Sequence, residues 1–377
     1  MTDKSHASTY SLALHGYRGL CALLVFTYHL GVSHVIEPER LGHAVDFLWH
    51  SLCLGVEMFF MISGYVILGS LQRHESIRSF LRDRVIRIYS AWTPALFFVT
   101  VATVVLRLKS FQGVASGTEA LGVFVANLLL LPPIVPVPLI HWVSWSLSFE
   151  WLFYLATAAG VALLRWQHGP AARSQLAVAL WVVTGSVVIA FCPRALFFLP
   201  GVVVLRHKAW FARRAGWLRW PLLSTSIFMI AWHATGYSIG DVTVNPLRWL
   251  QGYRWLLALV ALAASLHAFA SVVTRASRQL RFLESETFQF LGQISYSFYL
   301  WHMVVIAFVK RPVISQVVPR VGVACGFLLF TAISLGLSLI AAWASYQLFE
   351  VRLAGAWRRG RPSAPPLPKQ AGLEPLG

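Results

Sequence analysis

Arg18 and His29, both in the first apolar segment, are of residue types that could do chemistry inside a membrane. Ten residues separate them. At about 100° and 1.5 Å per residue, a helix places both side chains on one face, about 16 Å apart along its axis. A cation and an imidazole are costly in so apolar a segment, which favours a functional site. The alternative is that Arg18 reaches the cytoplasmic interface and His29 the opposite one.

Glu57 is an acidic residue in the middle of the second apolar segment. If the first two segments cross in opposite directions, Glu57 lies at a depth comparable to that of His29. A carboxylate that accepts from one imidazole nitrogen leaves the other as a general base, able to deprotonate an alcohol. We therefore expect Glu57 to orient His29. The alternative is a structural ion pair between Glu57 and an arginine, and Ser63-Gly64 indicates close helix packing.

Ser146, Glu150 and Tyr154 follow one another at intervals of four residues. Residues one helical turn apart share a face, so we expect these polar groups to form one stripe along the fifth apolar segment. Such a stripe could contact a substrate. The alternative is the first turn of a helix, where a serine caps and an acid complements the helix dipole.

Arg84 and Arg87, in the basic stretch 73–87, lie one turn apart at a helix end. Such a pair could bind the phosphates of an anionic donor such as a coenzyme A thioester. The alternative is a topology signal that contacts anionic lipid. Near the C-terminus, Tyr296 and His302 lie among small and aromatic residues at one membrane level, where a lone histidine is more often a packing residue.

Composition indicates an α-helical multi-pass membrane protein. The chain has 377 residues, 57% of them hydrophobic and 12% charged, and apolar stretches near span length recur along it. The net charge of +17 comes from basic residues clustered in short loops, which is typical of the positive-inside signal and argues against a nucleic-acid partner. The four cysteines show no C-x-x-C spacing, so neither a zinc site nor a disulfide framework is predicted.

We predict an all-α, polytopic bundle of about ten spans, with both termini cytoplasmic. The expected spans are 11–31, 50–70, 89–107, 119–135, 145–164, 175–192, 220–237, 253–273, 289–309 and 321–347. The apolar but short stretch 195–205, interrupted by Pro200-Gly201, is expected to be a re-entrant half-helix. Residues 1–351 form the membrane domain, and the Arg- and Pro-rich residues 352–377 are expected to be a disordered cytoplasmic tail.

Five blocks in order along the chain resemble the acyltransferase-3 family of integral membrane acyltransferases. They are Arg18-x₁₀-His29, Gly55-Val-Glu57-x-Phe-Phe-x-x-Ser63-Gly64, Arg84-x-x-Arg87-Ile-Tyr, Trp145-Ser-Leu-Ser-x-Glu150-x-x-Phe-Tyr154 and Leu291-Gly-x-Ile-Ser295-Tyr296-Ser-x-Tyr299-Leu-Trp-His302. The resemblance implies ten core spans that move an acyl group, usually acetyl from acetyl-CoA, to a hydroxyl of a carbohydrate, glycolipid or small acceptor. Ser90, where the family frequently has proline, and Phe349-Glu350-Val, which lacks a usual proline, depart from the pattern.

The resemblance also implies roles for individual residues. His29 corresponds to the essential histidine, Arg18 to its motif partner, and Arg84 and Arg87 to the cytoplasmic basic motif. We expect acyl-CoA as donor substrate, no tightly bound cofactor and no metal, in the inner cell membrane. His29 either accepts a proton from the acceptor or carries the acyl group itself. The rival reading is a proton-coupled transporter or flippase that uses His29 and Glu57 as a relay.

Overall fold

The computed structural model describes residues 12–36, 42–74, 76–105, 116–165, 192–237 and 247–359, and ten positions between 175 and 190. The described part is helical and contains no strand. Its α-helices are α1 Leu12–Gly31, α2 His43–Ser51, α3 Gly55–Arg73, α4 Ile77–Val105, α5 Gly117–Leu128, α6 Ser144–Arg165, α7 Phe198–Arg206, α8 Lys208–Arg213, α9 Pro221–Ala234, α10 Arg254–Thr274, α11 Glu286–Pro312, α12 Val318–Ser345 and α13 Ala354–Arg359.

Five helical stretches of the described residues are long and apolar enough to cross a membrane. They are His43–Leu71, Ile77–Val105, Ser144–Leu163, Arg254–Thr274 and Glu286–Arg358. The last is 73 residues long, enough for more than one crossing at about 20 residues each. The helix α1 is not among the five, because Arg18 and its histidines lower its mean hydropathy. The all-α, multi-pass membrane fold is thus confirmed, whereas the count of about ten spans stays a prediction.

Two of the expected spans are shorter in the structure than the sequence predicted. The stretch 119–135 holds α5, whose 12 residues end at Leu128, and 220–237 holds α9 with 14 residues. The prolines that follow α5 prevent its helix from continuing, because a residue before proline is pushed out of the helical region. In the expected span 175–192, the described positions from 175 to 190 are helical, and the other positions in that range lie outside the described residues.

The stretch 195–205 contains a short helix rather than a helix interrupted at Pro200-Gly201. A 3₁₀ turn, Pro193–Phe197, leads into the nine residues of α7. Pro200 is the third residue of α7, where a helix leaves its N–H groups unpaired in any case. A Cβ on Gly201 would collide with the Met61 carbonyl, and one on Gly64 with that of Phe198. The expected packing role of Gly64 is thus confirmed, while re-entry of α7 into the membrane stays a prediction.

The chain reverses direction between α11 and α12. A π-helical turn, Val313–Val317, ends α11, and Gly322 then adopts φ of 80°, which only glycine tolerates easily. Contacts of Ser297 with Ser345 and of Gln293 with Tyr346 show that the two helices run antiparallel. Helical structure continues through Arg359, and residues 360–377 lie outside the described part. The boundary of the membrane domain at 351 and the tail 352–377 stay predictions.

Candidate active site

Helices α1 and α11 pack closely and run parallel. A Cβ on Gly19 would lie 2.8 Å from the Gly292 backbone nitrogen, and one on Gly292 would collide with the His15 carbonyl. His29 and His302 lie ten residues beyond these two glycines on their respective helices. Two parallel helices that touch at Gly19 and Gly292 therefore bring the two histidines to the same level.

The two imidazoles are hydrogen-bonded to each other. His302 Nε2 lies 3.0 Å from His29 Nδ1, which also lies 2.9 Å from the Val25 carbonyl. His302 Nδ1 lies 3.1 Å from the Phe298 carbonyl. Because a carbonyl oxygen only accepts, we assign the proton of each ring to Nδ1, which makes His302 Nε2 the acceptor from His29. This assignment leaves His29 Nε2 with a free lone pair.

The two rings differ in their surroundings. His302 is 0% exposed and stacks on the Phe298 ring at 6.0 Å between centroids. His29 is half-buried and lies edge-on to Tyr28 at 4.9 Å. No described residue hydrogen-bonds to His29 Nε2. His302 is therefore a fixed internal partner, and His29 presents a nitrogen that a substrate can reach.

Glu57 does not orient His29, so that prediction is wrong. Its Oε1 lies 3.1 Å from Arg194 Nη1 and accepts from the Trp232 indole at 3.1 Å. Glu57 is 0% exposed, and the Arg194 guanidinium lies 5.0 Å from the Trp145 ring centre. A buried carboxylate is stabilised far more by a cation than by a neutral imidazole. The alternative interpretation, a structural ion pair with an arginine, is the one that the structure bears out.

A cavity with about 760 Å³ of empty space, part of it open, collects seven of the predicted site residues. We call it the arginine cavity; the seven are Arg18, Arg84, Arg87, Ser146, Glu150, Tyr154 and Tyr296. Arg18 thus faces the same space as the basic motif of α4. His29, Glu57 and His302 do not line this cavity.

The polar lining of the arginine cavity carries more positive than negative charge. Its described lining includes three arginines and one carboxylate, Glu150. Glu150 Oε1 accepts from Ser63 Oγ at 3.1 Å and from the Tyr154 hydroxyl. Arg84 donates to Ser70 Oγ at 2.6 Å and lies 5.8 Å from the Tyr154 ring centre. Neighbouring side chains therefore hold Arg84 in place, and the cavity lining offers an anion more cationic than anionic groups.

The stripe on α6 is a wall of this cavity rather than a helix cap. Glu150 lies in the second turn of α6, which has no acid in its first turn. The Ser146 hydroxyl lies 2.8 Å from the Tyr299 hydroxyl and 3.1 Å from the Val143 carbonyl. Tyr296 donates to the Ile88 carbonyl at 2.9 Å, which fixes its ring at the α4 side.

Tyr299 lies between the arginine cavity and the histidine pair, with Phe59 beside it. Phe59 and Tyr299 both line the cavity and lie 5.9 Å apart between ring centres. On its other side, the Tyr299 ring is 5.8 Å from the His302 ring. The cavity and the histidines are therefore neighbours across one layer of side chains.

Sequence reasoning missed Arg194, Trp232 and the position of Phe59 in the cavity wall. Arg194 had a signal that could have been read, because it is a lone cation next to the apolar stretch 195–205. Trp232 and Phe59 had none, since an aromatic residue in an apolar segment is ordinary. Tyr299 lies in the family-like block 291–302, but it was not among the predicted site residues.

Comparison with known proteins identifies the class. A family model described as an acyltransferase domain matches residues 11–343. The chain belongs to this family, acyltransferase-3, and is an O-acyltransferase of the membrane. Family membership favours the enzyme over the transporter considered from the sequence.

Three similar proteins extend the match across most of the chain. Acyltransferase MdmB of Streptomyces mycarofaciens is 25% identical over 79% of this chain and 80% of its own. Exopolysaccharide production protein ExoZ of Rhizobium meliloti is 28% identical over 85% and 95%. O-acetyltransferase OatA of Staphylococcus aureus is 23% identical over 84% of this chain and 54%, about half, of its own length. No solved structure matches the chain.

Proposed function

We propose that this enzyme transfers an acyl group, acetyl above all, from acyl-CoA to a hydroxyl of a carbohydrate or glycoconjugate, with His29 as the reacting group. The observation that carries the proposal is the histidine pair, which fixes one nitrogen of His29 and leaves Nε2 free. An imidazole with one fixed and one free nitrogen is suited to base or nucleophile chemistry. We further propose that the enzyme lies in the inner membrane with both termini in the cytoplasm.

The arginine cavity is the proposed donor site. Its three arginines suit the phosphates of coenzyme A, and its apolar wall suits the pantetheine chain. Arg18 and His29 lie on one helix, about 16 Å apart, so the thioester end points from the cavity towards the histidine pair. The acyl group must pass between Phe59 and Tyr299 to reach His29 Nε2.

Two reaction routes fit this arrangement. In the first, His29 Nε2 takes the proton of the acceptor hydroxyl while the hydroxyl oxygen attacks the thioester carbon. The C–S bond then breaks, and the proton passes from Nε2 to the leaving thiolate. In the second, Nε2 itself attacks the thioester carbon, the C–S bond breaks, and a thiolate and an N-acyl imidazolium form. The acceptor oxygen then attacks that acyl group, the bond from the acyl carbon to Nε2 breaks, and the acceptor proton passes to the thiolate.

The names of two relatives support the choice of acyl group and acceptor. OatA is named as an O-acetyltransferase and ExoZ as an exopolysaccharide production protein. By analogy, acetyl is the expected group and a surface carbohydrate the expected acceptor. The tested reaction is therefore release of coenzyme A that depends on a carbohydrate.

The test of His29 compares purified His29→Gln with wild type in lipid nanodiscs. We expect transfer from labelled acetyl-CoA to fall at least about 100-fold, the usual contribution of a positioned base. His34→Gln, an exposed histidine beyond the same end of α1, is the control and should keep wild-type activity. Full activity of His29→Gln with normal thermal unfolding would overturn the role of His29.

The test of the donor site compares Arg84→Gln with Arg82→Gln. Arg84 lines the arginine cavity, whereas Arg82 donates to the Trp357 carbonyl. A charge-assisted hydrogen bond contributes about 1.5–3 kcal/mol, so we expect acetyl-CoA to bind at least tenfold more weakly to Arg84→Gln only. Equal donor affinity in the two variants would place the coenzyme elsewhere.

A further inference from the structure

A second polar surface lies at the His29 end of α1, away from the arginine cavity. It is formed by Asp46, Phe47 and His50 of α2 together with His233 of α9, and we call it the α2–α9 face. Tyr28 connects it to the reacting histidine, because its ring lies 4.9 Å from that of His29 and 6.4 Å from that of His50. The Trp49 indole donates to the Thr27 carbonyl and holds α2 against α1.

The second span is long enough for this face to lie outside the hydrocarbon core. His43–Leu71 is 29 residues long, which is about 43 Å of helix, or about 13 Å more than the core of a bilayer. The α2 end of this stretch is its polar end, and Asp46 and His50 there have side chains 39% and 42% exposed. A water-borne group can therefore reach the α2–α9 face.

The polar groups of this face are only partly engaged. His50 Nδ1 lies 3.1 Å from Asp46 Oδ1 and 2.9 Å from the Asp46 carbonyl. His233 Nδ1 lies 3.4 Å from Ser51 Oγ. Among the described residues, nothing hydrogen-bonds to Nε2 of either histidine or to Asp46 Oδ2. The face thus offers two imidazole nitrogens and one carboxylate oxygen close to Tyr28, whose ring contacts that of His29.

Flat rings border these polar groups. The Phe47 ring packs edge-on against the His233 ring at 4.5 Å, joining α2 to α9. Rings beside a small number of fixed hydrogen-bonding groups form the usual lining of a small-molecule site. A carboxylate beside imidazole nitrogens suits hydroxyl groups, which both donate and accept, and the carboxylate repels the phosphates of coenzyme A. The arginine cavity has the opposite charge.

We propose that the α2–α9 face binds the carbohydrate acceptor, with Asp46, His50 and His233 holding its hydroxyls, and presents one hydroxyl to His29. The inference rests on the proposed function and adds the acceptor site to it. Donor and acceptor then approach the histidine pair from opposite ends of α1. Asp46, His50 and His233 are specificity-determining residues, and none of them touches the reacting bond.

The experiment measures transfer of acetyl from acetyl-CoA by purified enzyme in nanodiscs. The acceptor probe is surface polysaccharide isolated from the source strain after deletion of this chain, and it is varied against saturating acetyl-CoA. Asp46→Asn, His50→Gln and His233→Gln are compared with wild type, singly and combined. His43→Gln, an exposed residue of the same helix, is the matched control.

We expect the acceptor KM to rise about tenfold in the combined variant, with kcat and the KM for acetyl-CoA unchanged, and His43→Gln to equal wild type. An unchanged acceptor KM would overturn the proposal, as would equal rises in both KM values, which would indicate general distortion. If wild-type enzyme acetylates no polysaccharide, the proposed function itself fails and the acceptor face fails with it. A wild type that is active beside an unaffected combined variant refutes the face alone.

Discussion

Two buried polar pairs occupy the centre of this bundle, and they are built differently. Glu57 and Arg194 form an ion pair at 3.1 Å, with the carboxylate fully buried. His29 and His302 form a pair of neutral rings at 3.0 Å, each also bonded to a backbone carbonyl. The ion pair turns its charges towards each other, whereas the histidine pair leaves one nitrogen free.

The difference teaches where reactivity can reside in an apolar interior. Burying opposite charges is tolerated only when they compensate each other, and such compensation makes both groups poor catalysts. Neutral imidazoles need no counter-charge, so one of them can keep an open lone pair at small cost. We therefore assign structure to Glu57 and Arg194, and chemistry to His29.

The largest expected effect comes from Arg194→Met, which leaves the Glu57 carboxylate buried without its cation. Breaking a buried ion pair costs about 3–5 kcal/mol, so the free energy of unfolding should fall by that amount in thermal or denaturant unfolding followed by tryptophan fluorescence. The double variant Glu57→Gln/Arg194→Met should recover part of the loss. Arg213→Met, at an exposed position, is the control. Wild-type stability of Arg194→Met would refute the structural role.

An intermediate effect is expected from Gly292→Ala, which forces α1 and α11 apart. The new Cβ would collide with the His15 carbonyl, and overpacking of this kind costs about 1–3 kcal/mol. Acyl transfer should fall together with stability, since the His29–His302 contact depends on this register. Gly336→Ala, where a Cβ meets no atom within 4 Å, should change neither quantity. Normal activity in Gly292→Ala would show that acyl transfer does not depend on the close packing of α1 against α11.

The smallest expected effect comes from His302→Leu, which removes one of two acceptors from His29 Nδ1. The Val25 carbonyl remains as the other, so kcat should fall about tenfold, equivalent to about 1.4 kcal/mol. Acetyl-CoA affinity should not change. His302→Gln, whose amide oxygen can accept in place of Nε2, should restore part of kcat. A loss that Gln does not relieve would make His302 a packing residue only.

The sequence predicted the parts of this site that depend on helical periodicity. Arg18 and His29 do share one continuous helix, and the stripe Ser146, Glu150 and Tyr154 does face one cavity. The spacing of Arg84 and Arg87 likewise placed both at that cavity. Period and charge within one helix are local properties, and they survive folding.

The partners of these residues could not be read in the same way. Glu57 meets Arg194 because α3 and α7 approach through Gly64 and Gly201. Such approaches depend on which small residues face each other, and a chain with many glycines allows many choices. The helix in the expected span 119–135 is shorter than predicted for a related reason, since apolar composition there does not reveal that α5 ends at Leu128.

The contact between α1 and α11 determines when, during synthesis of the chain, the histidine pair can form. His29 and His302 are 273 residues apart in the chain, and translation proceeds at about 5–20 residues per second. Roughly 15–55 s therefore pass between the synthesis of His29 and the synthesis of His302. Nascent chains that stop before α11 have the Val25 carbonyl as the one acceptor for His29 Nδ1, and His302 supplies the second acceptor only when synthesis is nearly complete.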